Sequence, residues 1–298
     1  MAEIKLFSLS GEVTELTSSV VILEKELQTL IEQHMETFFG VRFLKSEYIV
    51  TNGRMDSIGI DENNSPVIFE YKRSQNENVI NQGLFYLDWL LDHKADFKLL
   101  VIEKLGMEVA NHIDWSVPCV VCVAHDFTKY DIHAVNQMQR NIKLVSYRKY
   151  NKDLILFEHL NTPTIKATIE SSGNDGEAKS STQKSHIEKL AAATDDMKSL
   201  YYSICDFIES LGDDIAPNQL KLYLAYKKIQ NMVCVEIYNK QIILFLKLNP
   251  ETVTLERGFT RDMRGIGHYG TGDLQVTIKN ATDFEKAKPL IERTYSET

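Results

Sequence analysis

Apolar residues recur at Val20, Leu23, Leu27, Leu30, Ile31, Met35 and Phe38, the spacing of one face of a helix. Ser18 or Ser19 can cap its start, and Gly40 stands just past its end. Three strand-like runs follow at Phe43–Thr51, Met55–Ile60 and Val67–Lys72. The polar segment from Asp61 to Pro66 predicts a hairpin turn between the last two. Beyond them the pattern predicts a helix over Asn76–Leu91, a strand at Phe97–Glu103 and a short helix at Met107–His112. A strand at Val117–Ala124, a helix at Ile132–Arg140 and strands at Lys143–Tyr147 and Leu154–Phe157 complete the series. One helix, three strands and then alternation imply an α/β domain, a mixed sheet with helices on both faces.

The periodicity stops near Thr162–Lys184, where IESSGNDGEAKSSTQKS has the small, polar composition of a linker. The chain therefore divides into residues 1–160, a flexible linker over 161–186, and residues 187–298. The last block opens with an amphipathic helix predicted over Ile187–Leu211. Strands follow at Leu220–Tyr226, Val233–Tyr238, Ile242–Leu248 and Leu274–Ile278, and a helix at Ala281–Tyr295 ends it. This is a second, smaller α+β domain, and 298 residues suit two domains.

Composition adds mainly exclusions. With 43% hydrophobic and 25% charged residues, the chain is not globally disordered. Its longest apolar stretches, such as Val117–Ala124, fall far below the ~18 residues of a spanning helix, so no membrane partner is expected. The opening MAEIKLFSLSGEV is no secretory signal, and four cysteines make no disulfide scaffold, so a cytoplasmic home is expected. The net charge of −9 comes mostly from residues 1–160, with 16 basic against 23 acidic side chains; the remainder has 17 against 19. Neither block is a basic nucleic-acid scavenger. A phosphate-bearing substrate would need a local patch, or metal ions held by some of the acids.

The segment GRMDSIGIDENNSPVIFEYKR, residues 53–73, is the most informative. Side chains alternate along a strand, so Asp56, Ile58 and Ile60 share one face, as do Ile68, Glu70 and Lys72. A turn centred on Asn63 sets Asp56 opposite Glu70, with Cβ atoms ~5 Å apart. Two carboxylates that close require a shared proton or a cation between them. Metal-assisted phosphodiester hydrolysis uses such a trio. Hard divalent ions bound by carboxylates neutralise the phosphate and acidify a water, and an ammonium orients that water or stabilises the developing charge. A solvated strand pair with an exposed Glu70–Lys72 couple is the alternative.

Asp56 followed by Glu70-Tyr71-Lys72 resembles the D…(D/E)-x-K core of the PD-(D/E)XK nuclease superfamily, whose restriction-endonuclease-like fold has the same order of elements. Gln82-Gly-Leu-Phe-Tyr86 resembles the Q-x-x-x-Y pattern of its RecB-like branch, and Glu24 stands where that branch often places another carboxylate. Over residues 15–125 the chain resembles archaeal-type single-strand-specific endonucleases, and also bacterial proteins sometimes described as predicted transport proteins. The lack of a spanning segment argues against transport. The proline that gives the superfamily its name is missing, since Arg54-Met55 precedes Asp56.

The resemblance implies a DNA nuclease acting in repair or phage defence, on single-stranded or branched sites. Asp56, Glu70 and Glu24 would hold Mg²⁺ or Mn²⁺, with Glu26 and Glu32 as alternatives to Glu24. Lys72 would serve as base or water-orienting group, Gln82 and Tyr86 would face the site, and Arg54 and Arg73 would contact phosphate. Superfamily members often pair so that each subunit cuts one strand, which makes a homodimer compatible with the resemblance. The rival is a catalytically silent module that binds nucleic acid or protein.

Other signals weigh less. Cys119 and Cys122 are three apart in an apolar strand, so they point to opposite faces and read as core. Gly265-Ile-Gly267-His-Tyr-Gly270 precedes a strand instead of opening a helix, which rejects a dinucleotide loop. It reads as a glycine-rich turn or, with Arg257, Arg261, Arg264 and His268, as an anion contact. KLYLAYK and GIGHYGTGDLQV resemble a small domain of unknown function that follows nuclease-like domains, so recognition or partner binding is expected of residues 187–298. His112, His125 and His133 lack ligand spacing, Phe85 and Trp89 read as helix packing, and Glu26, Glu32 and Glu36 read as a solvated helix face.

Overall fold

The computed structural model describes residues 4–19, 23–72, 79–151, 153–161 and 184–298. A small hairpin of β1 (Leu6–Ser8) and β2 (Thr14–Leu16) precedes β3 (Ser18–Ser19). The expected cap at Ser18 or Ser19 is overturned, because these residues pair with a strand and the helix α1 (Glu24–Phe39) begins after Leu23 without a side-chain cap. Gly40 ends α1 as expected. Its φ of 64° lies in the left-handed region, and its N–H donates to Glu36 O.

Then come β4 (Val41–Val50), β5 (Gly53–Asp61) and β6 (Pro66–Lys72), followed by α2 (Val79–Asp92). The first residues of the helix expected over Asn76–Leu91 lie outside the described residues. The segment Phe97–Glu103 is not a strand but part of α3 (Lys94–Leu105). Its apolar run KLLVIEKL has strand-like residues. Phe97, Leu100 and Val101 nevertheless follow helical spacing and are the ones buried, whereas Leu99 is exposed. The block continues with α4 (Met107–Asn111), β7 (Cys119–Ala124), α5 (Lys129–Gln137), β8 (Asn141–Tyr150) and β9 (Leu154–His159). Thr128 and Asp131 form a reciprocal capping box that starts α5 earlier than apolar spacing suggested.

These strands make one mixed sheet, in which β4, β5 and β6 are antiparallel and β6, β7 and β8 parallel. The strand β9 lines the far edge of β8, and β3 pairs with β8 just past the end of β7. One core lies between the sheet and α2–α3, built on Ile58, Ile68, Leu87, Leu90 and Phe97. The other lies under α1, built on Leu27, Ile31, Met35, Phe69 and Tyr71. The expected α/β class, with helices on both faces of a mixed sheet, is what the structure shows. At Gly59 an added Cβ would come within 2.8 Å of the Arg42 carbonyl, so the close approach of β4 to β5 requires glycine.

The linker expected over 161–186 lies largely outside the described residues. The long helix expected over Ile187–Leu211 is two helices, α6 (His186–Ala192) and α7 (Asp195–Glu209). Thr194 breaks it, because its side chain caps the second helix by accepting the Met197 N–H. An antiparallel sheet of β10 (Ala216–Gln219), β11 (Leu224–Lys227), β12 (Asn231–Tyr238), β13 (Gln241–Leu246), β14 (Thr260–Asp262) and β15 (Leu274–Ile278) follows, with α8 (Ala281–Glu297) last. The strand expected over Leu220–Tyr226 is replaced by β10 and β11, and the three-residue β14 escaped the pattern.

The two blocks touch through polar groups as well as apolar ones. Val117 packs with Leu220, Tyr223 and Phe245. Asn63 in the β5–β6 turn accepts a hydrogen bond from the Tyr223 hydroxyl at 2.8 Å, and the Asn231 N–H donates to Glu62 Oε1 at 2.8 Å. Lys227, buried, stands 3.9 Å from Asp61 and 4.0 Å from Glu62.

Candidate active site

The ladder between β5 and β6 runs from Ile60 opposite Pro66 to Ser57 opposite Phe69. One step further, where register sets Asp56 opposite Glu70, side chains replace the ladder. The Asp56 N–H donates to Glu70 Oε1 at 3.3 Å, and the Tyr71 N–H donates to Asp56 Oδ2 at 3.0 Å. The two carboxylates therefore converge as the alternation predicted. Each is held by the backbone of the neighbouring strand.

Glu70 is 1% exposed, and Asp56 is half-buried. Burial, and then the charge of Asp56, push the Glu70 carboxyl up to about 9, against the opposing pull of the Asp56 N–H and of Lys72. Burial also raises Asp56, although the Tyr71 N–H and Lys72 pull it back. Lys72 has a largely buried side chain, and its Nζ lies 3.8 Å from Glu24 Oε1. Glu24 is the first residue of α1, so the helix start carries its carboxylate to the rim of the pair.

The donor chemistry fits a hard divalent ion in part. Asp56 and Glu70 offer carboxylate oxygens whose mutual repulsion a cation would relieve. Among the described residues, however, no three His, Cys, Asp or Glu side chains stand together as a group able to hold a metal ion. Glu24 is turned to Lys72 instead of completing such a trio.

In the layer behind the pair, Gln28, Ser57 and Tyr71 were not singled out as site residues from the sequence, whereas Glu32 was named there as an alternative to Glu24. Gln28, 4% exposed, donates through its amide to the Asp56 carbonyl at 2.8 Å and to Glu32 at 2.9 Å. The Ser57 hydroxyl donates to Glu32 at 2.6 Å, and the Tyr71 hydroxyl donates to Ser57 at 3.1 Å. Glu32 is thus tied to β5, which corrects its reading as a solvated face, while Glu26 and Glu36 are exposed. The one available signal was a glutamine beside Leu27 on the buried stripe of α1.

The remaining expected residues are placed less centrally. The Tyr86 hydroxyl accepts the Arg54 N–H at 3.1 Å, and the Tyr86 ring packs so close to Gly53 that a Cβ there would come within 2.7 Å of it. Tyr86 therefore fixes the start of β5, two residues before Asp56. Gln82, one turn earlier on α2, is exposed. The Arg54 guanidinium is exposed and paired with Glu47 at 2.5 Å, and Lys25 holds the same Glu47 at 3.1 Å. Burial pushes the Glu47 carboxyl up, but the hydrogen bond and charge of Lys25, together with the charge of Arg54, outweigh it and hold the group below its ordinary range. Arg73 lies outside the described residues.

The weaker signals resolve as follows. Cys119 packs in the core under α1 and Cys122 in the core under α2, both free and buried, on opposite faces as their spacing required. Arg264 is held by Asp262 at 2.7 Å and Glu251 at 2.8 Å, and His268 stacks on Phe245 with ring centroids 4.3 Å apart. The glycine-rich loop thus serves as a cover over β13. No helix among the described residues is long and apolar enough to cross a membrane.

Residues 23–105 match the family model of the endonuclease NucS C-terminal domain, so the segment that carries the carboxylates is nuclease-like. An uncharacterized protein of Haemophilus influenzae is 30% identical over 297 residues, 97% of this chain and 98% of that protein. The chain belongs to the same family as that Haemophilus influenzae protein. Among solved structures, a repair endonuclease from Pyrococcus abyssi aligns with 44% of this chain at 17% identity and a TM-score of 0.29. A complex of EndoMS with double-stranded DNA aligns with 48% at 14% identity and a TM-score of 0.26. The aligned part spans 50% of the first of these chains and 64% of the second.

Proposed function

We propose that this protein is a divalent-metal-dependent nuclease of the PD-(D/E)XK type that hydrolyses phosphodiester bonds in DNA. The observation that carries the reading is the convergence of Asp56, Glu70 and Lys72 at the open end of the β5–β6 ladder. The match of the surrounding segment to the endonuclease NucS C-terminal domain supports it. Asp56 and Glu70 would hold Mg²⁺ or Mn²⁺, with Glu24 reaching the ion directly or through water. When bound, the ion neutralises the phosphate and acidifies a water.

The chain's own residues do the rest. Lys72, beside both carboxylates and Glu24, orients the attacking water or receives its proton. The Gln28–Glu32–Ser57–Tyr71 network keeps β5 and β6 in place while charge builds up. Arg54 leaves Glu47 to contact a phosphate, and Arg73 is assigned the same role by its place after Lys72. The block at residues 187–298 supplies recognition. A homodimer in the cytoplasm completes the reading.

Incubation of the purified protein with labelled single-stranded, double-stranded, flapped and RNA substrates tests it. Cleavage of DNA is expected with Mn²⁺ and none with EDTA. Cleavage that persists in EDTA, or in both Asp56→Ala and Lys72→Ala, defeats the reading.

A second reading rests on the Glu70 carboxyl, which holds its proton at neutral pH and so lacks the charge that a cation would bind. Under it, the block binds nucleic acid without cutting. A wild-type protein that retains DNA but binds no Mn²⁺ at pH 8 would select this reading.

A further inference from the structure

A cavity of about 620 Å³ separates the lower end of the mixed sheet from the second block, and both blocks line it. Its volume and its position between domains suit a small-molecule site. The sheet contributes Val67, Val121 and Lys143; the second block contributes Pro217, Lys227 and Ile229.

Three lysines, Lys143, Lys227 and Lys228, and three aspartates, Asp61, Asp213 and Asp214, line it, and their pairing is uneven. Asp61 accepts the N–H groups of Asn63 and Ser65 and faces Lys227 at 3.9 Å. Asp214 pairs with Lys228 at 3.5 Å. Lys143, half-buried on β8, has no hydrogen-bond or ion-pair partner among the described residues. Burial holds its amine below the ordinary lysine range, and the neighbouring charge of Lys227 adds to this. The charges of Asp61 and Glu62 offset this only in part, at a distance beyond an ion pair, and an anion seated directly on the amine would remove the remaining cost. Val67, Val117, Val121, Pro217 and Ile229 give the cavity an apolar wall, interrupted by Asn141, His159 and Asn161.

We propose that this cavity binds a small organic anion, a carboxylate or phosphate head on a short apolar body, with the head on Lys143. The site is distinct from the carboxylate pair. Val67 precedes Glu70 by roughly 10 Å along β6, and it packs on the α1 side of the sheet, whereas Ile68 packs on the α2 side. The proposal therefore stands apart from the nuclease reading.

Calorimetry on the full chain tests it, with hexanoate, hexyl phosphate and the neutral hexanamide as probes. At least one of the two anions should bind wild type more tightly than hexanamide. Lys143→Met should weaken that binding at least tenfold, Lys143→Arg should retain it, and Asp56→Ala should leave it unchanged. Failure of both anions to bind wild type up to about 10 mM overturns the proposal, as does equal binding by a folded Lys143→Met protein.

Discussion

Replacing Glu70 by glutamine should stabilise the protein while removing its proposed chemistry. The Glu70 carboxyl is raised from an ordinary 4.5 to about 9, first by burial and then by the charge of Asp56. A folded-state carboxyl raised in this way keeps a proton that the unfolded chain releases. Stability therefore falls as pH climbs from about 4.5 towards 9. At pH 7 the gap to the unfolded value is roughly 2.5 units, and at about 1.4 kcal/mol per unit it opposes folding by about 3 kcal/mol. Glutamine keeps an oxygen to accept the Asp56 N–H and has no proton to lose. Urea unfolding at pH 5, 7 and 9 measures the difference. Glu70→Gln should gain little at pH 5 and about 2–3 kcal/mol at pH 7, with a larger gain at pH 9. Added Mn²⁺ should narrow the gap by stabilising wild type alone. A variant no more stable than wild type at pH 9 would refute the reasoning, because the carboxyl would then be ionised in the fold at no cost.

Three further outcomes follow from the same geometry. Lys72→Ala should lower the cleavage rate by about 10²–10⁴-fold with an unchanged far-UV spectrum, measured under single-turnover conditions. Tyr86→Phe leaves the Arg54 N–H without its acceptor and should cost about 1 kcal/mol, read by urea unfolding. Gly59→Ala drives a methyl into the Arg42 carbonyl and Val41, and should destabilise by about 1–3 kcal/mol, seen as a lower melting temperature.

The half of the fold that holds the site was legible because its signals are local. Period-two alternation on β5 and β6 gave the Asp56–Glu70 register directly, and Gly40 marked the end of α1. Lys94–Leu105 misled because Leu99, Leu100, Val101 and Ile102 form a continuous apolar run. Only the fold shows that Leu99 faces water while Phe97, Leu100 and Val101 face the sheet. Thr194 divides α6 from α7 by a single cap, which apolar spacing alone does not reveal. The Gln28 network and the seating of Lys227 against Asp61 depend on contacts between distant parts of the chain. No window of sequence contains them. Tyr86 was singled out by a motif, but its hydroxyl is used on the Arg54 backbone, so its part is to position β5.

The central claim is that Asp56 and Glu70 together bind a divalent cation, and titration of Mn²⁺ into the protein at pH 8 tests it most directly. Wild type should take up the ion and release protons as Glu70 ionises, and Asp56→Asn should abolish both heats. No uptake by wild type, or equal uptake by Asp56→Asn, would contradict the account.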